Sequence, residues 1–204
     1  MGGKNTFTEV PVLETNRLLL RAFNQNDIDD IFEYASDPEV SKYLPWDVHV
    51  SKKNTIDFLK ASEENFQRLD IIDWGIELKN EHKLIGGISI RNWNNKHLCA
   101  DAGYVISKKY WNRGIATEAL AKVIQFGFET LCVNRIEAHC DDENIGSSRV
   151  MEKCGMKYEG TLRQKVFEKG RFVDAKFYSI LRNEFNNHLT NHKLELNNQE
   201  TNDK

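Results

Sequence analysis

The stretch that most constrains the fold runs from Leu98 to Cys140. It opens on a strand-like run, Leu98–Ile106, and passes through a turn containing Gly114. A helix then follows from about Ala116 to Leu131, and a second strand spans Arg135–Cys140. Ala116, Ala119, Leu120, Val123, Ile124, Gly127, Phe128 and Leu131 recur every three or four residues, the period of one buried helix face. A strand, one long helix and another strand make a crossover, so these two strands pair in parallel.

Runs of strands with no helix between them call for antiparallel pairing, and the remaining strands complete a mixed sheet. They are Arg17–Phe23, Trp74–Leu78, Leu84–Ile90 (interrupted by Gly86-Gly87), Lys157–Glu168 and Arg171–Leu181, the last two joined by a turn at Lys169-Gly170. Asn26 is placed to cap a helix carrying Ile28, Ile31, Phe32 and Ala35, and Pro38 to end that unit. Ser51 is placed to cap a helix presenting Ile56, Leu59 and Phe66. A short helix with Val150, Met151 and Cys154 inward should stop at Gly155. The reading is an α/β (α+β) domain over 13–184, with an N-terminal extension over 1–12 and a polar, Asn-rich tail over 185–204.

Composition narrows the function. A chain of 204 residues with 40% hydrophobic and 29% charged residues suits one soluble domain. A net charge of −3 with no basic run gives no footprint for nucleic acid or an anionic membrane. No apolar stretch approaches the roughly 18 residues of a membrane span, so the expected compartment is cytoplasmic. Gly2 with Thr6 fits a loose myristoylation pattern that lacks a second lipid signal. Cys99, Cys132, Cys140 and Cys154 form no Cys-x-x-Cys pair; they read as small buried hydrophobes, and no metal is expected.

Two segments carry chemistry. Gly114 and Ala116 are small residues where a strand turns into the long helix. Free N–H groups there point outward with partial positive charge, which suits a pyrophosphate, although small residues at a helix start also simply permit tight packing. In the second segment Asn144 and Ser147 stand three apart where the short helix begins, as helix caps or as site residues.

Together these segments resemble the GCN5-related N-acetyltransferase (GNAT) superfamily. Trp111-Asn-Arg-Gly114-Ile-Ala116 is similar to its acetyl-CoA loop, with Trp in place of the first Gln/Arg. Asn144-x-x-Ser147-x-x-x-x-Glu152-Lys153-x-Gly155 is similar to the second half of that site. Thr15–Arg21, Ser36–Val40, Leu44–Trp46, Glu159–Arg163 and Gly170–Asp174 resemble the RimJ/RimL branch, whose members acetylate ribosomal-protein N-termini. The resemblance covers about residues 13–183.

It implies a mostly antiparallel, seven-stranded mixed sheet with four flanking helices, splayed between strands 4 and 5. The pantetheine arm of acetyl-CoA would lie in the gap against Tyr104, Val105 and Ile106, and the pyrophosphate on Arg113, Gly114, Ile115, Ala116 and Thr117, with Trp111 and Asn112 in the same loop. Asn144 would bond the pantetheine, a backbone N–H near Val105 would stabilise the oxyanion, and Ser147 would protonate the thiolate. Asp101 is the first choice for the base; some family members use only an ordered water. Glu137 and His139 share one face of strand 5 and, with Trp46 from a Pro-bounded loop, are candidates for the acceptor side; for each carboxylate or imidazole a plain strand role competes.

The acceptor is expected to be a protein N-terminus. The alternatives are a small amine such as a polyamine, amino acid or aminoglycoside, or a non-catalytic acyl-CoA-binding module. Homodimers are frequent in such families, and no residue here decides that point.

Overall fold

The computed structural model describes residues 7–68, 71–93 and 96–185. Among these residues eight strands form one sheet: β1 (Leu13–Glu14), β2 (Leu18–Arg21), β3 (Ile71–Leu78), β4 (Lys83–Arg91), β5 (Cys99–Ile106), β6 (Arg135–Asp141), β7 (Lys157–Glu168) and β8 (Arg171–Leu181). Their spatial order is β1-β2-β3-β4-β5-β6-β8-β7. Every neighbouring pair is antiparallel except β5–β6. Five α-helices precede β8: α1 (Ile28–Ala35), α2 (Pro38–Ser41), α3 (Lys52–Gln67), α4 (Ile115–Glu129) and α5 (Ile145–Lys153).

The expected seven strands become eight because Leu13–Glu14 pairs with Leu19–Leu20 at the sheet edge. The expected four helices gain α2: Pro38 begins a one-turn helix, with Asp37 Oδ1 capping Glu39 N at 2.9 Å. Proline fits the first helical position because its missing N–H would have no partner there. The cap of the first helical segment is Asn24 rather than Asn26. Asn24 Oδ1 accepts from Asn26 N at 2.9 Å, and Asp27 Oδ2 accepts from Asn24 N at 2.7 Å. Ser51 caps α3 in a reciprocal box with Asn54, and Gly155 ends α5 at φ 79°, both as the sequence predicts.

Each sheet face has its own core. α4 covers the face of Ile90 and Ile136, and a Cβ at Gly127 would meet Ile136 Cδ1 at 2.7 Å. Glycine therefore sets how closely α4 lies on the sheet. Leu120, Val123, Ile124 and Phe128 complete this core with the fully buried Trp74, whose indole donates to Pro11 O at 2.7 Å. The opposite face carries Ile31, Tyr34, Val40, Leu59 and Leu84, with Phe23, Phe58, Val105 and Trp46 packed beside them. Trp74 and Trp93 are core, as anticipated for large aromatics.

The cysteines divide. Cys140 is buried and Cys99 and Cys154 are half-buried, but Cys132 is exposed between α4 and β6 at φ 57°, contrary to the expectation for all four. Burial pushes the Cys154 thiol up to about 12, so it stays protonated. The expectation of a frayed tail falls on residues outside those described, apart from Phe185.

Candidate active site

The one parallel pair creates the site. β5 and β6 are in register only at Cys99–Arg135, Ala100–Ile136 and Asp101–Glu137. β5 continues to Ile106 against β4, and β6 continues to Asp141 against β8. The strands therefore part after Asp101 and Glu137, and Tyr104, Val105 and Ile106 lie along the opening. Ser107 N donates to Ile85 O at 2.8 Å, so the backbone groups of residues 105 and 107 point towards β4. By alternation those of Tyr104 and Ile106 point towards the gap. The gap-facing amides that flank Val105, near which the oxyanion donor is expected, are thus those of Tyr104 and Ile106.

The chain leaves β5 through a tight loop. Trp111 donates its indole N–H to Ile106 O at 2.7 Å, Asn112 adopts φ 60°, and Gly114 adopts φ 73° immediately before α4. A Cβ at Gly114 would meet only Arg17 Nη2, at 3.7 Å, so this glycine is required by backbone conformation rather than by space. Arg113 lies with its guanidinium over the Tyr110 ring at 5.2 Å. Arg17, in the turn between β1 and β2, fixes the loop: Nη1 donates to Arg113 O at 3.0 Å and Nε to Glu118 at 2.6 Å. Burial pushes the Glu118 carboxyl up, but hydrogen bonds from Thr15 and Arg17 outweigh it and hold the group below the usual carboxylate range. Among the described residues, no protein group accepts from the amides of Arg113, Gly114, Ile115, Ala116 or Thr117, whereas Glu118 N already bonds Gly114 O. Five unpartnered N–H groups at the positive end of a long helix fit a diphosphate.

Across the opening, Asn144 rather than Ser147 caps α5, its Oδ1 accepting from Ser147 N at 3.0 Å. The cap leaves the Ser147 hydroxyl free for Tyr104, whose phenol stands 2.9 Å from Ser147 Oγ and 3.0 Å from Ser147 O. This hydroxyl pair bridges β5 to α5 on the α4 side of the sheet. Burial pushes the Tyr104 phenol well above its usual range, although the Ser147 bond works the other way, so it stays protonated.

The other side is polar. Asp101 lies at the closed end of the gap and accepts from Asn92 Nδ2 at 2.6 Å. Glu137 is bound to Arg135 at 2.5 Å. His139 stands one step further out, where the strands have separated, stacked on Phe177 with centroids 5.1 Å apart and planes 18° apart. Trp46 meets the His49 ring at a tilt, centroids 5.5 Å apart, and packs against the same cluster as Val105. Asp101, Glu137, His139 and Trp46 therefore share the face opposite α4, while Ser147 and Tyr104 lie on the α4 side.

The sequence reading passed over Arg91 and Ser89. Both alternate with Ile88 and Ile90, and that period of two would have placed them on the polar face. No group of three or more His, Cys, Asp or Glu suited to a metal occurs among the described residues. No helix among them is long and apolar enough to cross a membrane. Surface depressions beside Phe7, Val10 and Phe66, and beside Leu162, Gln164 and Asp174, lie away from the gap.

A sheet splayed at one parallel pair, with a bare helix N-terminus at its mouth, defines an acyl-CoA transferase scaffold. The profile of the family described as "Acetyltransferase (GNAT) domain" matches residues 17–157. The chain is 35% identical to the "Uncharacterized N-acetyltransferase YoaA" of Bacillus subtilis, over 84% of this chain and 97% of that one. It is 32% identical to the "Putative ribosomal N-acetyltransferase YdaF" of Bacillus subtilis, over 61% of this chain and 74% of that one. The crystal structure of a GNAT-family acetyltransferase from Bacillus anthracis superposes with a TM-score of 0.76 at 31% identity, covering 85% of this chain and 99% of that one. The chain belongs to the GNAT acetyltransferase family. It is an N-acetyltransferase with acetyl-CoA as the acetyl donor.

Proposed function

We propose that the enzyme acetylates the N-terminal α-amine of a protein, with the acceptor entering on the polar face and the thioester lying in the gap. One observation carries the division of labour: the gap separates a hydroxyl pair on the α4 side from a polar row on the other. The amine nitrogen attacks the thioester carbon; the C–N bond forms and the C–S bond breaks. The Ile106 amide, aimed into the gap, stabilises the charge developing on the carbonyl oxygen. Ser147 Oγ gives its proton to the departing sulfur, and Tyr104 lies in line to restore it. The amides of residues 113–117 hold the diphosphate, and Asn144 Nδ2, left over from the cap, bonds the pantetheine arm.

The peptide reading is supported by the state of the carboxylates on the acceptor face. Two of them are neutralised by arginine, Glu137 by Arg135 and Asp141 by Arg171 at 3.3 Å. A polyamine needs free carboxylates. The name of YdaF points the same way. The Ser147–Tyr104 pair favours turnover over a purely binding role.

The test is thiol release from acetyl-CoA against peptides with free Ser, Ala, Thr or Met N-termini, spermidine, an aminoglycoside and free amino acids. Turnover on peptides is the expected result. Turnover confined to spermidine or the aminoglycoside would transfer the reading to a small amine. Acetyl-CoA binding without turnover on any of these would favour a non-catalytic module.

A further inference from the structure

The sheet register places five residues in one row across the polar face. Asp73 pairs with Ser89, Ser89 with Gly103, and, beyond the gap, His139 pairs with Phe177. Gly103 and His139 each stand two residues past the last paired positions, Asp101 and Glu137, so they face one another where the strands have parted. A Cβ at Gly103 would meet Arg91 Nη2 at 3.5 Å and Ser89 Oγ at 3.6 Å, so the Arg91 guanidinium lies over this glycine, at the edge of the gap.

Arg91 differs from the charges around it. Arg17, Arg21, Arg135 and Arg171 each hold a carboxylate. Arg91 makes no hydrogen bond or ion pair among the described residues and is half-buried. A half-buried guanidinium keeps five planar donors ready for an oxygen ligand. Its charge acts at longer range on Asp73 and His139.

We propose that Arg91 and His139 together select an α-aminoacyl acceptor: Arg91 binds the carbonyl oxygen one carbon from the amine, and His139 takes the proton that the incoming ammonium must lose. This deepens the N-terminal acetyltransferase reading and rests on it. An α-amine always carries a carbonyl in that relation. A polyamine carries none, and brings extra cations that Arg91 repels. The proton count closes. The ammonium gives one proton to the imidazole, which releases it to solvent, and the attacking nitrogen's second proton replaces the one Ser147 delivers to sulfur.

The imidazole suits the task. The His139 side chain is exposed at the opening of the gap; partial desolvation by the strands around it holds it below its usual 6.5, the Arg91 charge on β4 adds to that, and Asp101 on β5 opposes it. Glu137 and Asp141 flank it on its own strand, already paired with Arg135 and Arg171, and β8 presents the uncharged Phe177 ring. His139 is therefore neutral, and able to accept a proton, throughout the neutral range. Asp101, the base expected from sequence, lies where β5 and β6 are still joined and contributes charge from behind.

The experiment compares wild type, Arg91→Gln, Arg91→Lys and His139→Gln by thiol release at saturating acetyl-CoA. The acceptors are the peptide panel and spermidine, and acetyl-CoA affinity is followed by calorimetry. Arg91→Gln should raise the peptide KM about tenfold or more with little change in kcat, as loss of a charge-assisted hydrogen bond does. Arg91→Lys should recover part of it. His139→Gln should lower kcat/KM about 10²-fold or more and remove the acid limb of its pH profile. Acetyl-CoA affinity should stay at the wild-type value in all three. An unchanged peptide KM in Arg91→Gln, an acid limb that survives His139→Gln, or a wild-type preference for spermidine would each overturn the proposal. Wild-type protein that fails to bind acetyl-CoA would instead overturn the donor site, and this proposal with it.

Discussion

At the scale of single residues, the site is built from side chains whose other bonds are already settled. Ser147 illustrates this. Its backbone N–H is taken by Asn144 and its carbonyl by Tyr104, so the hydroxyl is left to the 2.9 Å contact with the Tyr104 phenol and to the neighbouring Cys140 thiol. Ser147→Ala should keep the cap, keep the Tyr104–carbonyl bond and leave α5 in place. It should lower kcat by about 10²-fold or more, the usual size of a lost general acid, with acetyl-CoA affinity within about twofold of wild type. Steady-state kinetics beside calorimetry checks this. A kcat equal to wild type would remove the acid role, and a collapse in affinity would make Ser147 a binding residue. Gly114 shows the converse case, a residue whose duty is wholly in its backbone. At φ 73° it turns the chain so that five successive amides face outward.

At the scale of elements, the gap depends on β4 as much as on the two strands that part. A Cβ at Gly86 would lie 2.2 Å from Val105 O, inside any allowed contact and against backbone that cannot swing aside. Gly86→Ala must push β5 towards β6, into the space for the pantetheine arm. The expected result is a loss of about 1–3 kcal/mol of stability, as for overpacking, together with weaker acetyl-CoA binding. Denaturant unfolding and calorimetry on one preparation separate the two, and unaltered binding in a destabilised variant would show that β5 holds its place. The sequence makes part of this legible. Its periodicity gives α4, the crossover and the single parallel pair, because each is a local pattern of apolar residues. The motif around Asn144 gives the start of α5. The sequence hides register. Asp73, Ser89, Gly103 and His139 are far apart along the chain, and only the paired strands bring them into one row. The Asn26-to-Asn24 shift and the new role of Pro38 have smaller, local causes: several residues near Asn24 can cap, and the Arg21–Asp27 pair at 2.8 Å fixes Asp27 where it bonds Asn24 N, while the Asp37 cap starts a helix at Pro38.

At the scale of the whole molecule, the polar face sets stability against function. Asp73 lies in a strand between the fully buried Ile72 and Trp74, with Ser62 of α3 as its hydrogen-bond partner. Burial pushes its carboxyl above the usual 3.8; the Ser62 bond and the Arg91 charge only partly offset this. In the unfolded chain the same group ionises at its usual value. Between the two values the folded state binds the extra proton, so folding stability falls as pH rises through that window and stays lower above it. Asp73→Asn retains an oxygen for Ser62 and removes the charge. Its melting temperature should exceed that of wild type at pH 7, and the difference should shrink to nothing as the pH falls below 3.8, where both side chains are neutral in both states. Thermal melts across that range decide it, and a variant less stable than wild type at pH 7 would show that Arg91 makes the carboxylate a net stabiliser. The same substitution removes an acidic neighbour of Arg91. A more stable variant with an altered peptide KM would mean that the buried charge is kept for the acceptor site at the expense of the fold.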